Sequence, residues 1–407
     1  MLFIDRQKDM ASLQDYAFRF NTQFNETISK QAIQQRVNTP NALLFLKTVL
    51  EKAIGKQLSA LYPYAQHKSM DFKQILIKDS VRFKVADSCV DIFKGGKGNT
   101  GRAKVSIQFE YDLLSGKVTC LELTPSTRND YQDSRENLDK IESGNLYLKD
   151  LGYITHQYIE HVADAGSYYI CRVHRGWNLH DADKQIIDYK QIISKLSKNN
   201  LEFIDMEALI KKGNRWIPTR AVFSLVSEQE YQKRLKKIKK NTENHGGTVG
   251  EKTKMVAKLN MFITNMNKGQ LDTQQVRHIY YLRWQIELAF KTWKQQGQID
   301  VRRQMNPNRF QCHLIARLIW LMLHWQILVI IQGWYYRQGI EARASMIKVF
   351  KIAKYANEHC KTCFLNPTIE NMEKWMGNWF KQPCRLLAAE QKRGKVSAFK
   401  ALKFLLA

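Results

Sequence analysis

From Val81 onward the hydrophobic period of this chain switches to two, and the switch narrows the fold more than any other feature. Val81-Arg82-Phe83-Lys84-Val85-Ala86 alternates, as does Lys104-Val105-Ser106-Ile107-Gln108-Phe109-Glu110-Tyr111. Lys117-Val118-Thr119-Cys120-Leu121-Glu122-Leu123 follows after a turn at Ser115-Gly116. Alternation sends successive side chains to opposite faces of a sheet, so the three runs predict three strands in meander order. A polar helix around Ser134 to Ile141, an apolar strand Leu146-Tyr147-Leu148, a helix from about Thr155 to Ala163 and a strand Ser167 to Val173 come next. A short right-handed crossover then sets the strand ending near Asp87 beside the one ending near Asp150 in a mixed sheet.

That β-β-β-α-β-α-β order is the strand order of a ribonuclease-H-like fold. The first eighty residues read as helices. Asn25-Glu26-Thr27-Ile28-Ser29 offers cap residues before Lys30-Gln31-Ala32-Ile33-Gln34-Gln35-Arg36-Val37. This short helix fits the second helix of a helix-turn-helix and equally an ordinary amphipathic helix in a small bundle. Residues 175 to about 265 read as an insertion, with strand-like Arg215 to Leu225 and a dense basic helix, Lys233 to Lys240, before Gly246-Gly247. Helical periodicity returns at Asp272 and continues to the C-terminus. The expected organisation is α/β: a helical region over 1–78 that is a helix-turn-helix-like candidate for DNA binding, a ribonuclease-H-like mixed-sheet catalytic core over 79–310 with a largely β insertion at about 175–265, and a helical region over 311–407.

Composition bears on the partner. Among 407 residues, 64 Lys+Arg against 38 Asp+Glu leave a net charge of +26, which favours a polyanion, with nucleic acid first. The start, MLFIDRQKDM, lacks a signal-peptide h-region, which predicts a cytoplasmic protein. Leu314 to Ile331 is about as long as a membrane span but carries Arg317, His324 and Gln326, and reads as a buried helix rather than a membrane segment. Seven cysteines, an odd number, predict reduced thiols rather than a disulfide framework. Cys360 and Cys363, with His359 and Cys384, lack the second pair that a zinc site needs. Gly95, Gly96, Gly98 and Gly101 do not make a phosphate loop.

Metal-dependent phosphoryl transfer needs carboxylates from separate parts of the chain around two divalent ions about 3.5–4 Å apart. Strand ends supply them: Asp87 closes the first alternating strand and Asp150 closes Leu146-Tyr147-Leu148-Lys149. Neighbouring strands lie about 4.8 Å apart, close enough for two side chains to share a metal. An Asp after a strand also serves as a helix cap or turn former, and Asp91 competes with Asp87 for the first position.

The third element is a helix capped by Asp272, with Gln275 completing a box-like pair. At about 100° per residue, Tyr280, Arg283, Glu287 and Lys294 fall in a wedge of roughly 60°. Ile279, Leu282, Ile286, Phe290 and Trp293 form the buried stripe beside it. A Glu there can join a carboxylate cluster, while Arg283 and Lys294 offer cations, and Tyr280 a hydroxyl, for DNA phosphates. Periodicity alone allows an Arg283–Glu287 pair on a solvated face equally well.

The spacing Tyr-x2-Arg-x3-Glu-x6-Lys at Tyr280, Arg283, Glu287 and Lys294 closely resembles the YREK signature of IS4-family insertion-sequence transposases. Val85-Ala86-Asp87-Ser88-Cys89 is similar to that family's first-Asp segment and Leu148-Lys149-Asp150-Leu151-Gly152-Tyr153 to its second. Together with Thr264-Asn265 and Ile107 to Asp112, the likeness points to the IS231-like branch over about residues 10 to 340. The resemblance implies a DDE transposase in which Asp87, Asp150 and Glu287 are catalytic and bind two Mg²⁺, with Mn²⁺ able to substitute. Tyr280, Arg283, Lys294 and Trp284 would contact DNA. The partners it implies are double-stranded DNA (terminal inverted repeats and target) and a second protomer in a homodimer, in a nucleoid-associated bacterial setting. Two departures stand out: Cys89 replaces a Thr of the family pattern, and Met1 falls partway into the family's longer N-terminal region. The alternative this raises is an N-truncated, DNA-binding or dimerising inhibitor that does not transpose.

Overall fold

The computed structural model describes residues 12–57, 73–96, 102–174, 176–244, 246–301, 303–355, 384–390 and 396–406. The chain forms two compact units, one of Met1–Gln66, Asp79–Arg128 and Trp284–Phe399, the other of His67–Lys78, Asn129–Arg283 and Lys400–Ala407. The C-x-x-C at Cys360 and Cys363, and Gly98 and Gly101, lie outside the described residues.

The first unit opens with three capped helices, α1 (Leu13–Phe24), α2 (Lys30–Val37) and α3 (Pro40–Gly55). Ser12 and Asp15 close a capping box on α1: Ser12 Oγ accepts from the Asp15 N–H at 3.1 Å, and the Asp15 carboxylate accepts from the Ser12 N–H at 2.8 Å. Asn21 fixes the α1–α2 turn by accepting from Ile28 N–H at 2.7 Å and donating to Ile28 O at 3.1 Å. Tyr16, Ala17 and Ile33 form a small core beneath it. The helical reading therefore holds to Gly55 but fails at its end, because Gln74–Lys84 is strand β1. Ile75, Leu76 and Ile77 are all buried, so this stretch shows an unbroken apolar run and no alternation.

Strands β2 (Lys104–Asp112) and β3 (Val118–Pro125) pair antiparallel, with a register shift at Glu110/Tyr111. In the second unit, helix α4 (Asp130–Glu136) leads to β4 (Asn145–Lys149), α5 (His156–Asp164) and β5 (Tyr168–Arg172). β4 pairs parallel with both β1 and β5. Then come β6 (Leu179–His180), α6 (Tyr189–Lys198), β7 (Ile204–Lys212), β8 (Arg215–Leu225), α7 (Glu228–Glu243), α8 (Glu251–Lys258) and β9 (Leu259–Thr264). The strand order is β3-β2-β1-β4-β5-β9-β8-β7-β6, a mixed sheet of the kind a ribonuclease-H-like core requires. The insertion is as much helix as strand. It extends the same sheet, because β9 pairs antiparallel with β5 and β8 with β9. A buried ion pair, Arg220–Asp205 at 2.6 Å, ties β8 to β7, and Arg220 also donates to Leu271 O at 2.6 Å.

Helices α9 (Thr273–Tyr280), α10 (Trp284–Gly297), α11 (Pro307–Arg337) and α12 (Met346–Tyr355) follow. α11 is long and apolar enough to cross a membrane by length and composition. Its Leu314, Leu318, Leu321 and Trp325 are nevertheless buried, as expected of a core helix. The first unit's aromatic core joins β2, α10 and α11. The Phe109 ring lies 4.5 Å from Trp293 and 5.5 Å from Trp325 between centroids, and Trp325 donates its indole N–H to Gly116 O at 2.8 Å. Gly116 has φ +72°, and a Cβ there would stand 2.7 Å from Val329 Cγ2, so only glycine fits this turn.

Removing the fully buried indole of Trp293 leaves a cavity at the centre of this cluster. Trp293→Ala is expected to lower unfolding free energy by about 3–5 kcal/mol in urea denaturation, and Trp293→Phe by clearly less.

Candidate active site

Asp150 follows β4 directly and starts a 3-10 turn, Leu151–Tyr153, with its own backbone still extended at φ −70°, ψ 159°. Its side chain is 46% exposed, and the Arg283 guanidinium, itself only 14% exposed, lies 3.8 Å from Asp150 Oδ1. Arg283 also sits over the Tyr280 ring at 5.9 Å from its centroid. Tyr280 is buried against Phe262, 5.2 Å between ring centroids. Burial pushes its phenol up to about 12, with Asp150 raising it and Arg283 and Arg172 opposing. The hydroxyl therefore keeps its proton at neutral pH. Among the described residues it has no hydrogen-bond partner, which leaves a donor to offer.

Behind Asp150 the chain is braced. Lys78 on β1 and Asp133 on α4 form a buried ion pair at 2.5 Å, 4% and 1% exposed. Lys78 also lies 5.8 Å over the buried Tyr153 ring, and a Cβ at Gly152 would meet Asp130 Cβ at 3.2 Å, so the 3-10 turn rests directly on α4. Lys149, also buried, lies 4.6 Å over the Tyr158 ring.

The signature residues do not occupy one continuous helix. α9 ends at Tyr280, a 3-10 turn spans Tyr281–Arg283, and α10 begins at Trp284. The Tyr281 N–H is shared between the Arg277 and Ile279 carbonyls, which tightens the winding at the end of α9. Tyr280 and Arg283 belong to the second unit, Trp284, Glu287 and Lys294 to the first. Glu287 and Lys294 are both half-buried and two turns apart, hence on one face of α10; Trp284 is 55% exposed. The expected apolar stripe holds, since Ile279, Leu282, Ile286, Phe290 and Trp293 are all buried.

Asp87 starts a separate 3-10 turn, Asp87–Cys89, past the end of β1, and is exposed. Neighbouring Ser88 donates to Met305 O at 2.7 Å, and burial pushes the Cys89 thiol up. Asp91 is exposed further along the same loop. The β1–β4 register adds a residue that sequence reasoning overlooked. Pairing runs from Gln74↔Asn145 to Lys78↔Lys149, and the next residue on each strand is an aspartate, Asp79 and Asp150. Alternation turns Asp79 to the face of β1 opposite Lys78, and its carboxylate accepts the Ser80 N–H at 2.8 Å. Asp79 and Asp87 are eight positions apart in the chain, up to about 26 Å if extended. The signal was the repeated string of apolar residues, lysine and aspartate: Leu76-Ile77-Lys78-Asp79 and Tyr147-Leu148-Lys149-Asp150.

Among the described residues, no three His, Cys, Asp or Glu side chains are gathered into a metal-holding group. The donor types still fit a hard divalent cation: Asp79, Asp150 and Glu287 offer only carboxylate oxygens, and none of the three is fully buried.

The family model for the transposase DDE domain matches residues 70–323. The chain belongs to this transposase DDE domain family. The matched span of this DDE-family chain takes in Asp79, Asp87, Asp150 and the whole Tyr280-to-Lys294 signature. The transposase for insertion sequence element IS231F of Bacillus thuringiensis subsp. israelensis is 32% identical over 310 residues, covering 73% of this chain and 65% of the relative. The IS231B transposase of Bacillus thuringiensis subsp. berliner is 28% identical over 307 residues, covering 72% and 64%. The IS1151 transposase of Clostridium perfringens is 24% identical over 327 residues, covering 77% and 69%. The chain thus spans just under two thirds of the length of the two IS231 relatives.

The brace behind Asp150 can be tested through stability. Lys78→Met strands a buried carboxylate and should cost about 3–5 kcal/mol, whereas Lys78→Met/Asp133→Leu should recover most of that loss. Urea denaturation of the single and double variants checks it.

Proposed function

We propose that this DDE-family protein is an insertion-sequence transposase that cuts DNA at the ends of its element and joins the freed ends to target DNA. The observation that carries the reading is the transposase-domain match over residues 70–323, which spans the aspartates of β1 and β4 and the Tyr280-to-Lys294 signature. The working partners would be double-stranded DNA bearing terminal inverted repeats, target DNA and a second protomer, in the bacterial cytoplasm at the nucleoid. The net charge of +26 supports a DNA partner.

Asp150, Glu287 and one aspartate of the first segment would hold two Mg²⁺, or Mn²⁺ in their place. The register with β4 favours Asp79 for that first position, whereas the family resemblance pointed to Asp87. Bound there, the ions would supply the charge stabilisation and nucleophile activation that phosphodiester cleavage requires. The chain's own groups do the rest. Arg283 presents a planar fork to a phosphate and holds the Asp150 carboxylate in its field. Tyr280, which keeps its proton, donates to a phosphate oxygen. Lys294 adds a point charge to the DNA backbone, and the exposed Trp284 ring offers a face to an unstacked base at the cut end. Cys89 is buried and plays no part in binding the ions.

Cleavage of DNA carrying the element's ends, with Mg²⁺, tests the reading. Asp79→Asn, Asp150→Asn and Glu287→Gln should each lower 3′-end nicking and strand transfer by orders of magnitude while end binding persists, because a charge that acts on the transition state is removed. Asp87→Asn should cleave at close to the normal rate. The reverse pattern, with Asp79→Asn active and Asp87→Asn inactive, returns the first position to Asp87. Binding without cleavage by the unaltered protein would instead support the inhibitor alternative.

The signature cations separate from the carboxylates in the same assay. Arg283→Ala and Lys294→Ala should weaken complex formation as well as rate, since both act on ground-state phosphates. The loss caused by Tyr280→Phe should be constant between about pH 6 and pH 9, because the phenol stays protonated throughout. A loss that vanishes toward the alkaline end would show that the phenol ionises within that range.

A further inference from the structure

We infer that α7 carries a second DNA surface, a lysine stripe that grips the backbone of duplex DNA without reading its sequence. The choice of DNA among polyanions rests on the transposase reading; the stripe itself rests on geometry. α7 spans Glu228–Glu243, and Ile238 is its buried residue. Lys233, Lys236, Lys237, Lys239 and Lys240 are all exposed. At about 100° per residue, Lys233, Lys236, Lys237 and Lys240 fall within roughly 100° of arc, on the side away from Ile238, and Lys239 flanks them.

The charge on this face is uncompensated. None of the five lysines makes an ion pair or hydrogen bond with a described residue, whereas Glu228, Glu230 and Arg234 on the same helix are engaged. Glu230 pairs with Arg234 at 3.0 Å, and Glu228 accepts from Gln232 at 2.5 Å. Arg234 is turned inward: it donates to Leu259 O at 3.0 Å and to Asn260 Oδ1 at 2.8 Å, fastening α7 to β9. The acidic residues sit at the two ends, Glu228 and Glu230 in the first turn and Glu243 in the last. That leaves Lys233/Lys236, Lys233/Lys237, Lys236/Lys240 and Lys237/Lys240 as like-charged neighbours three or four residues apart, an arrangement that destabilises an isolated helix and that a polyanion relieves.

The chemistry of the stripe also selects the mode of binding. Four lysines span about 10 Å of helix axis, a length over which duplex DNA presents about six phosphate charges. Between Lys233 and Lys240 this arc carries ammonium groups only, point charges suited to phosphates; the exposed amide on the same arc, Gln229, lies one turn before Lys233, and Asn241 flanks the far end, so the centre of the stripe has nothing to pair with base edges. Its natural substrate is therefore DNA of any sequence, outside the terminal repeats.

The experiment replaces Lys233, Lys236, Lys237 and Lys240 together by Gln, with circular dichroism to confirm folding. Binding to a random-sequence duplex is measured over a range of salt, and cleavage on a short duplex holding only the element end. The log–log salt slope should become shallower by about 3–4, one counterion for each phosphate that the lysines no longer neutralise, while cleavage of the short end duplex stays at the unaltered rate. An unchanged slope overturns the inference and makes the stripe a solvated face. A weakening seen only with end-sequence DNA also overturns it, because the interaction would then be sequence-specific. Glu287→Gln, run in parallel, should keep the full salt slope. If no variant, nor the unaltered protein, cleaves the ends but the lysine variant still shows the shallower slope, the transposase reading fails and the DNA surface stands.

Discussion

The parallel pairing of β1 with β4 is the constraint on which the rest of the molecule depends. Parallel neighbours cannot be joined by a tight turn, so the chain between them must cross over, and β2, β3 and α4 occupy that excursion. Strands paired in this way are buried on both faces, which explains the unbroken apolar run Ile75-Leu76-Ile77 and the buried strand Asn145–Lys149. The cost appears at the last paired position, where Lys78 and Lys149 are both buried side by side in the register. Asp133 neutralises Lys78, and the rings of Tyr158 and Tyr147 face the Lys149 ammonium. With the lysines on one face, alternation leaves the aspartates that follow them for the other.

Electrostatics around Asp150 follow from this arrangement. A half-exposed carboxylate stands within reach of a nearly buried guanidinium, and a buried phenol stands beside that guanidinium. At 3.8 Å the Arg283–Asp150 approach is too long for a tight bidentate pair and acts through the field of the guanidinium. Tyr280 is the more confined partner, because its ring packs on Phe262 of β9 and through that strand on the insertion. The group that would hold a phosphate and the strands that carry the lysine stripe of α7 are thus parts of one packed unit.

The break between α9 and α10 shows how a sequence signature and a structural element can differ. Its four residues are spaced as one helical stripe, yet the 3-10 turn Tyr281–Arg283 divides them between two helices. Here the boundary between the two compact units falls at the same place, after Arg283.

Local pattern alone was enough to identify the class of most elements, the mixed sheet, the long buried C-terminal helix and the stripe Ile279 to Trp293, because period and capping are properties of neighbouring residues. The net charge and the Tyr280-to-Lys294 spacing likewise pointed to DNA without coordinates. Residues 74–78 were illegible as strand, since a strand buried on both sides carries no alternation to read. The string Leu76-Ile77-Lys78-Asp79 could be read beside Tyr147-Leu148-Lys149-Asp150, but not the register of β1 against β4, a pairing between segments some seventy residues apart. The insertion's continuation of the main sheet through β9 and β5 and the burial of Tyr280 were also beyond local reading. Only the tertiary structure decided these, because register and burial are set by partners distant in the chain, whereas helix and strand period are written into each segment by itself.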